Sequence, residues 1–293
     1  MDLSFVFIQF LNGLTYAMFL FLITSGLSLI FGVLGVLNFA HGSFYMIGAY
    51  FCYSITILFY IFFGNFWIAL FLAPLVVGII GIFMEFFTLR PIYNREEFYQ
   101  LLLTYGAILV FDDFVKFIWG VDYKTIPKPE SLEGFVNILG RPFPKYYLFV
   151  ILFVSVIAFL LWFFLQRTKF GKIIRASASD REITNALGIN VPFWFTFVFF
   201  IGAYLGGLGG ALGGIVFSPS PRMASDYIIA SFIVIVIGGM GSMAGSLIGS
   251  LIIGQVEAFG ILIFPRFQLA FIYILMAVVL IIRPWGIFGK PIR

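Results

Sequence analysis

The sequence predicts an all-α protein, a polytopic bundle of transmembrane helices with about eight or nine spans, some of them broken, and short helices in a cytoplasmic loop. Of its 293 residues, 62% are hydrophobic and only 10% are charged, and the mean hydropathy is +1.11. Soluble domains carry about 25% charged residues. The apolar runs are long and do not alternate, as β-barrel strands of roughly ten residues do. Lipid is therefore the expected solvent of this chain, and no basic face is left for nucleic acid.

Eight apolar runs reach the length of about 20 residues that a transmembrane helix needs. They cover residues 10–36, 43–63, 66–88, 100–119, 145–165, 193–217, 243–264 and 267–283. A ninth run, 226–240, is short and ends in "GGMGSMAG". The N-terminal "MDLSFVFIQF" has no basic residue, unlike a cleaved signal peptide, so we predict that the first run is retained. We predict one membrane domain over 1–293, without a soluble domain.

Lysine and arginine are unevenly distributed among the connections. Ten of the 17 lie in 89–100, 166–192 and the tail 283–293, and the other seven are offset by acidic residues. Cytoplasmic connections carry the excess of Lys and Arg. We therefore expect loop 166–192 and the C-terminus on the cytoplasmic side of a plasma or inner membrane. The N-terminus is then outside if 226–240 crosses the membrane, and inside if that run only re-enters.

Glycines recur at four-residue spacing in two of the runs. Such rows allow a neighbouring helix backbone to approach closely in lipid, and we predict helix packing there. The rows are Gly202, Gly206, Gly210 and Gly214, followed by Gly245 and Gly249.

Two stretches about 200 residues apart have the same character, "GVLGVLNFAHGSFYMIGAY" and "VIGGMGSMAGSLIGSLIIG". Each interrupts an apolar run with small or polar residues, and interrupted spans in two halves of a transporter indicate its substrate path. The sequence thus favours a two-half repeat, roughly 1–165 and 193–293. Glu257 is added to the path because ionisable residues deep in lipid are costly. The predicted path residues are Asn38, His41, Gly42, Ser43, Tyr45, Gly239, Gly241, Ser242 and Glu257.

His41 is the single histidine and Cys52 the single cysteine, so no nitrogen and sulfur ligand set for a metal exists. No P-loop and no G-x-S-x-G motif occur. Asp112 and Asp113 are adjacent and point about 100° apart on a helix, so they do not converge as the paired aspartates of an intramembrane protease would. We predict no enzyme activity and no metal or cofactor. His41 and Asn38 are expected to satisfy freed backbone groups at a helix break where Gly42 permits the turn. Glu85 is expected at a membrane interface, paired with Arg90.

The loop 166–192 predicts two short helices joined at "SASD". "GKIIRASA" is compatible with a helix, and "DREITNALG" begins at Asp180, a favourable N-cap, and ends at Gly188. A surface of this size suits docking of a cytoplasmic partner. The alternative is an amphipathic segment held at the lipid headgroups.

Several of these stretches resemble one family. Gly32 to Gly42, with Tyr45 and "GAY", resembles the signature of branched-chain amino-acid ABC transporter permeases of the LivH type, and "GGMGSMAGSLIG", "RPWGIFGK" and "LRPIY" are similar to further parts of it. The loop resembles the coupling loop of ABC-importer permeases through Gly171, Arg175, Ala176, Asp180, Ala186 and Gly188.

The resemblance implies a translocation subunit without an ATPase of its own. It would pair with a second related permease, as a heterodimer or a homodimer, and two cytoplasmic ATPase subunits would bind the ATP. An extracytoplasmic binding protein would deliver a branched-chain amino acid or a related solute. The competing hypothesis is a stand-alone secondary transporter or channel for a small polar solute such as urea.

Overall fold

The computed structural model describes residues 2–60, 66–263 and 265–289, and Lys290 and Arg293 of the basic tail lie outside these residues. The described part forms eleven α-helices and one β-hairpin. The helices are α1 Leu3–Leu34, α2 His41–Tyr60, α3 Phe66–Met84, α4 Glu97–Trp119, α5 Lys145–Arg167, α6 Lys169–Ser179, α7 Arg181–Ala186, α8 Val191–Phe217, α9 Met223–Gly238, α10 Met243–Ile263 and α11 Gln268–Ile282.

The helical class predicted from composition is confirmed, since each of the nine apolar runs contains a helix. Five helices of the described part are long and apolar enough to cross a membrane: α1, α3 with its continuation to Ile92, α5, α8 and α10. The run 226–240 was expected to be short, and α9 has 16 residues and ends at Gly238. The chain is a polytopic helical membrane protein.

The bundle has two distinct ends. Ser4 at the start of α1 accepts a hydrogen bond of 2.9 Å from Arg141 of the hairpin. At the other end of α1, the Leu34 carbonyl accepts one of 2.6 Å from Arg181 of α7. Helix α5 runs from the hairpin to α6. We call these the hairpin end and the α6–α7 end.

The core lies around α1, whose side chains from Ala17 to Ile30 are almost all buried. Helix α10 packs along it in the opposite direction: Gly32 lies against Gly241 before α10, while Gly13 lies against Gly254 within α10. Helices α2 and α8 pack on α1 and on each other. Gly26 and Gly48 contact the backbone of α8 at Gly202 and Gly207, so small residues set these helix distances.

A hairpin, β1 Phe135–Ile138 and β2 Arg141–Pro144, departs from the predicted all-helical chain. Its strands are antiparallel with Ile138 opposite Arg141. The two turn residues, Leu139 and Gly140, both have positive φ, 50° and 79°, as a type I′ turn requires. Leucine is an unusual first turn residue, and strands of four residues carry little alternation, so the sequence did not predict this hairpin.

Both helices predicted in the loop 166–192 are present. The Thr168 hydroxyl caps α6 by accepting from the Gly171 amide at 3.1 Å. The Asp180 carboxylate caps α7 by accepting from the Ile183 amide at 2.9 Å. Gly188 follows α7 with φ 82°, the left-handed conformation that commonly ends a helix.

Candidate functional site

His41 and Asn38 lie inside the protein at the break between α1 and α2. The His41 side chain has no exposed surface, and its Nε2 lies 3.0 Å from the Ile23 carbonyl oxygen of α1. Asn38 is 1% exposed, and its carbonyl accepts from the His41 amide at 3.2 Å. His41 therefore joins the start of α2 to the middle of α1.

The turn that ends α1 is made by Gly35 rather than by Gly42. Gly35 has φ 73°, and its amide donates to the Phe31 carbonyl at 2.9 Å. Gly42 lies within the first turn of α2, where a Cβ atom would collide with the Ala224 carbonyl and lie 2.8 Å from Ile228 of α9. The expectation that Gly42 permits the turn was wrong, because this glycine serves the close contact of α2 with α9.

Ser43 and Tyr45 are also fully buried. The Tyr45 ring stacks on Tyr227 of α9 with centroids 4.2 Å apart. Tyr227 in turn contacts Phe217 edge to face at 5.8 Å, and Phe217 contacts Phe19 at 5.4 Å. We call Phe19, Tyr45, Phe217 and Tyr227 the aromatic layer. It joins α1, α2, α8 and α9.

The α8 glycines face α2 and α1. A Cβ on Gly202 would lie 2.6 Å from the Ile30 side chain, one on Gly206 3.2 Å from His41 Nε2, and one on Gly214 3.1 Å from the Ala49 Cβ. Gly210 meets the Tyr45 backbone directly. In α10, Gly245 lies against Gly238, and a Cβ on Gly249 would lie 2.7 Å from the Val234 carbonyl. These rows hold helix backbones in contact.

Gly239, Gly241 and Ser242 form the turn between α9 and α10 at the α6–α7 end. Both glycines have positive φ, 105° and 77°, and the Ser242 hydroxyl accepts from the Gly245 amide at 3.1 Å. A Cβ on Gly32 would lie 2.9 Å from the Gly241 carbonyl. The two stretches that look alike in sequence therefore touch here. Gly241 and Ser242 line a cavity of about 620 Å³.

Glu257 lies far from this turn, at the hairpin end. It lines two neighbouring cavities of about 450 and 430 Å³, and Tyr16 and Phe217 also line both of them. The first also has Arg222, Asp226 and Tyr227 in its wall. The second has Gln9, Asn12 and Thr15. The predicted path residues thus divide among three places: a buried centre, a turn at the α6–α7 end and polar cavities at the hairpin end.

The predicted coupling residues divide into two groups. Gly171 and Arg175 face α5: a Cβ on Gly171 would collide with the Leu165 carbonyl, to which Arg175 Nη1 donates. Ala176, Asp180, Ala186 and Gly188 are exposed. The large apolar side chains of Ile183 and Leu187, which are 61% and 75% exposed, lie beside them. Gly171 and Arg175 therefore build the loop, and the other four residues belong to its outer surface.

Arg181 was not predicted as a site residue, although it connects the loop to the bundle. Its guanidinium donates to the last carbonyl of α1 at Leu34 and lies 4.8 Å from the centre of the Phe195 ring of α8. A cation at a helix C-terminus also interacts favourably with the helix dipole. The sequence signal was weak, since an arginine at the start of α7 suggests only a cytoplasmic charge.

Glu85 is fully buried at the end of α3, where a π-helical turn, Glu85–Leu89, follows. The predicted pair with Arg90 is present, with Nε 3.2 Å from Oε1 and Nη2 3.1 Å from Oε2. Tyr93 and Thr196 each donate to Glu85 at 2.8 Å. The pKa of Tyr93 is raised, mainly by burial and secondly by the charge of Glu85, so the phenol stays protonated and donates its hydrogen bond. This cluster fixes α3 to α8, a link that sequence spacing does not reveal.

Among the described residues, no three His, Cys, Asp or Glu side chains converge in a way that could hold a metal ion. These features, a helical membrane bundle with polar cavities at one end and a two-helix loop at the other, are those expected of a membrane transport protein.

The chain belongs to the branched-chain amino acid transport system permease component family, whose model matches residues 9–280. It is a transport subunit of this ABC permease family rather than an enzyme. The high-affinity branched-chain amino acid transport system permease protein BraD of Pseudomonas aeruginosa is 31% identical, over 97% of this chain and 95% of BraD. LivH of Escherichia coli K12, with the same description, is 26% identical over 97% of this chain and 95% of LivH.

A probable LivH of Methanocaldococcus jannaschii is 27% identical over 95% of this chain and 91% of that protein. Among solved structures, a chain of PsaBC from Streptococcus pneumoniae in complex with Fab aligns with a TM-score of 0.47 and 12% identity, over 92% of this chain and 89% of that chain.

Proposed function

We propose that this chain is the translocating subunit of an ABC importer that moves branched-chain amino acids into the cell. It works beside a second, related permease, two cytoplasmic ATPase subunits supply the energy, and an extracytoplasmic binding protein delivers the substrate. The family and the full-length relatives support this proposal.

The observation that carries the proposal is the surface of α6 and α7. A membrane protein exposes large apolar side chains to water at a cost, yet Ile183 and Leu187 are exposed on a polar loop. An ATPase subunit that covers these two side chains removes their apolar surface from water, and this burial stabilises the complex. Arg181 of the same helix is bonded to the end of α1 and packs on α8. A push on α7 therefore reaches both central helices.

The three places occupied by the predicted path residues suggest how a solute moves. The polar cavities with Arg222, Asp226 and Glu257 offer groups of both signs, as a zwitterionic amino acid requires. Below them the aromatic layer closes the bundle, and the Gly239–Ser242 turn lies at the far end. Glycine-lined helices that rock against one another would part this layer and open the path alternately to each side.

We further propose that all nine apolar helices cross or enter the membrane, with the hairpin end outside. The N-terminus is then outside and α6 and α7 are cytoplasmic. The basic residues of the loop support this orientation. The described contacts between Asp2, Ser4 and the hairpin support a common side for the N-terminus and the hairpin.

The test is co-purification of the permease with its ATPase subunits. Ile183→Asp and Leu187→Asp place charges on the proposed docking surface, and we expect loss of the co-purified ATPase. The matched control is Phe135→Asp, at an apolar residue that is 66% exposed in the hairpin. We expect it to retain the ATPase. Retention by all three variants would contradict docking on α7.

Substrate is tested separately, by uptake in a strain that lacks its own branched-chain importers. We expect uptake of leucine, isoleucine and valine that depends on the binding protein and on ATP. Uptake of urea by the chain alone would instead support the stand-alone channel or secondary transporter.

A further inference from the structure

A groove between α1, α5 and α10 belongs to no part of the proposed path. Its volume is about 510 Å³, and its wall is apolar apart from Ser155. The residues that line it are Leu14, Met18, Phe21, Ser155, Ala158, Phe159, Trp162, Met243, Ala244, Leu247 and Leu251. Phe159 and Trp162 are about half exposed, so the described residues leave the groove open on the α5 side.

The groove continues into the cavity of about 620 Å³ at the α6–α7 end. Trp162, Met243 and Ala244 line both spaces. The second space is more polar than the groove, since Ser28, Gln166 and Arg175 contribute to its wall. An apolar groove that leads into a more polar space with a positive charge, that of Arg175, has the form of a site for an amphiphile.

Basic residues predominate around this space, and the acidic residues of the loop, Asp180 and Glu182, follow after α6. Arg167, Lys169, Lys172 and Arg175 lie at the end of α5 and along α6, and no acidic residue occurs in 134–179 or in 3–84. Arg175 donates one N–H to the Leu165 carbonyl, and a guanidinium has five such donors. Further donors are thus available for a phosphate, which arginine binds well.

The dimensions match one leaflet of a bilayer. On each helix the groove extends over eight or nine residues, and the seven or eight rises between their ends amount to about 10–12 Å in an α-helix. Half of a hydrocarbon core of about 30 Å is roughly 15 Å. The polar space with Arg175 then lies at headgroup level, where basic side chains meet anionic lipids.

We propose that this groove is a specific binding site for an anionic phospholipid of the leaflet on the α6–α7 side, with an acyl chain between α5 and α10 and the headgroup at Arg175. Bound there, the lipid fills the space between α5 and the α1–α10 pair and contacts α6, the helix that begins the proposed docking surface.

The experiment uses the full chain in nanodiscs with a photoactivatable phosphatidylglycerol or a matched phosphatidylcholine, each with the reactive group on its acyl chain. We expect phosphatidylglycerol to label 155–162 and 243–251 above phosphatidylcholine. Ala158→Trp fills the groove and should abolish this labelling. The control Leu152→Trp, at a residue of α5 that is 68% exposed, should not.

Arg175→Gln should remove the preference for phosphatidylglycerol, while Arg222→Gln at the hairpin end keeps it. Arg175 also supports the α5–α6 corner. If Arg175→Gln fails to fold, the labelling of Ala158→Trp alone decides the test. Equal labelling by both lipids, or unchanged labelling in Ala158→Trp, would overturn the proposal. Cross-linking of Ala158→Cys to another polypeptide in the assembled transporter would overturn it too, because a protein would then occupy the groove.

Discussion

At the scale of single residues, two buried polar side chains, His41 and Glu85, hold helices together. His41 bonds α2 to the Ile23 carbonyl of α1, and two glycines, Gly26 and Gly206, leave room for its ring. A histidine in an apolar run suggests proton or metal chemistry, and here its contacts are those of a packed structural side chain. Glu85 holds α3 against α8 in the same way.

Replacing Glu85 by Ala should destabilise the protein by about 2–4 kcal/mol, because Arg90 loses a buried, hydrogen-bonded partner. Thermal unfolding of the purified protein in detergent measures this as a lower Tm. The control is Lys116→Ala, which removes the exposed pair of Lys116 with Asp113 at 3.2 Å and should cost less than about 1 kcal/mol. Equal Tm values for the two variants would contradict a structural role for the Glu85 cluster.

At the scale of helices, glycine position decides the consequence of substitution. Gly210→Ala should destabilise the protein, since the new methyl group meets the Tyr45 backbone. Backbone cannot move aside as a flexible side chain does, so we expect a cost of about 1–3 kcal/mol from overpacking. Melting curves of the detergent-solubilised chain provide the measurement.

Gly106→Ala in α4 is the matched control for Gly210→Ala. Among the described residues, no atom beyond the adjacent α4 backbone lies within 4 Å of a Cβ at Gly106, and alanine favours a helix over glycine by up to about 1 kcal/mol. This variant should be neutral or slightly more stable. A Gly210→Ala protein as stable as Gly106→Ala would show that α2 and α8 are not in the described contact.

The connection of α7 to α1 gives a prediction about coupling. Arg181→Ala removes the bond to the Leu34 carbonyl but leaves Ile183 and Leu187 in place. We expect ATPase subunits to co-purify as before, while uptake per ATP hydrolysed falls severalfold. The reason is the lost hydrogen bond of a charged donor, which contributes about 1.5–3 kcal/mol. Glu182→Gln, an exposed neighbour on the same helix, should leave uptake unchanged. Normal uptake in Arg181→Ala would exclude this route.

At the scale of the whole molecule, orientation follows from the two ends of the bundle. Cys52 is buried, so it adds little background to thiol labelling. Ile183→Cys on α7 and Phe135→Cys on the hairpin are both exposed positions. In intact cells that express the permease without its ATPase subunits, a membrane-impermeant maleimide should label Phe135→Cys, and Ile183→Cys only after permeabilisation. The reverse pattern would invert the proposed topology.

Much of this molecule could be predicted from its sequence, for reasons that differ between its parts. Composition alone required lipid as solvent, and apolar runs placed the helices, because backbone groups in lipid must bond within a helix. The helix caps at Asp180 and Gly188 depend only on residues close in sequence, and they therefore predicted α7. The hairpin at 135–144 was missed, because its strands are short and Leu139 is not a typical turn residue. The two-half repeat stays a prediction.

The sequence by itself determined that this is a helical membrane protein with a two-helix basic loop, since both properties depend on composition and on neighbours within a few residues. Only the tertiary structure decided what the polar residues do. It separated Asn38 and His41 from Glu257, showed that Gly42 serves a contact with α9 rather than a turn, and joined Arg181 to an α1 carbonyl 147 positions away. Such contacts depend on which helix backbones approach each other, and in lipid that is decided by packing between distant glycines.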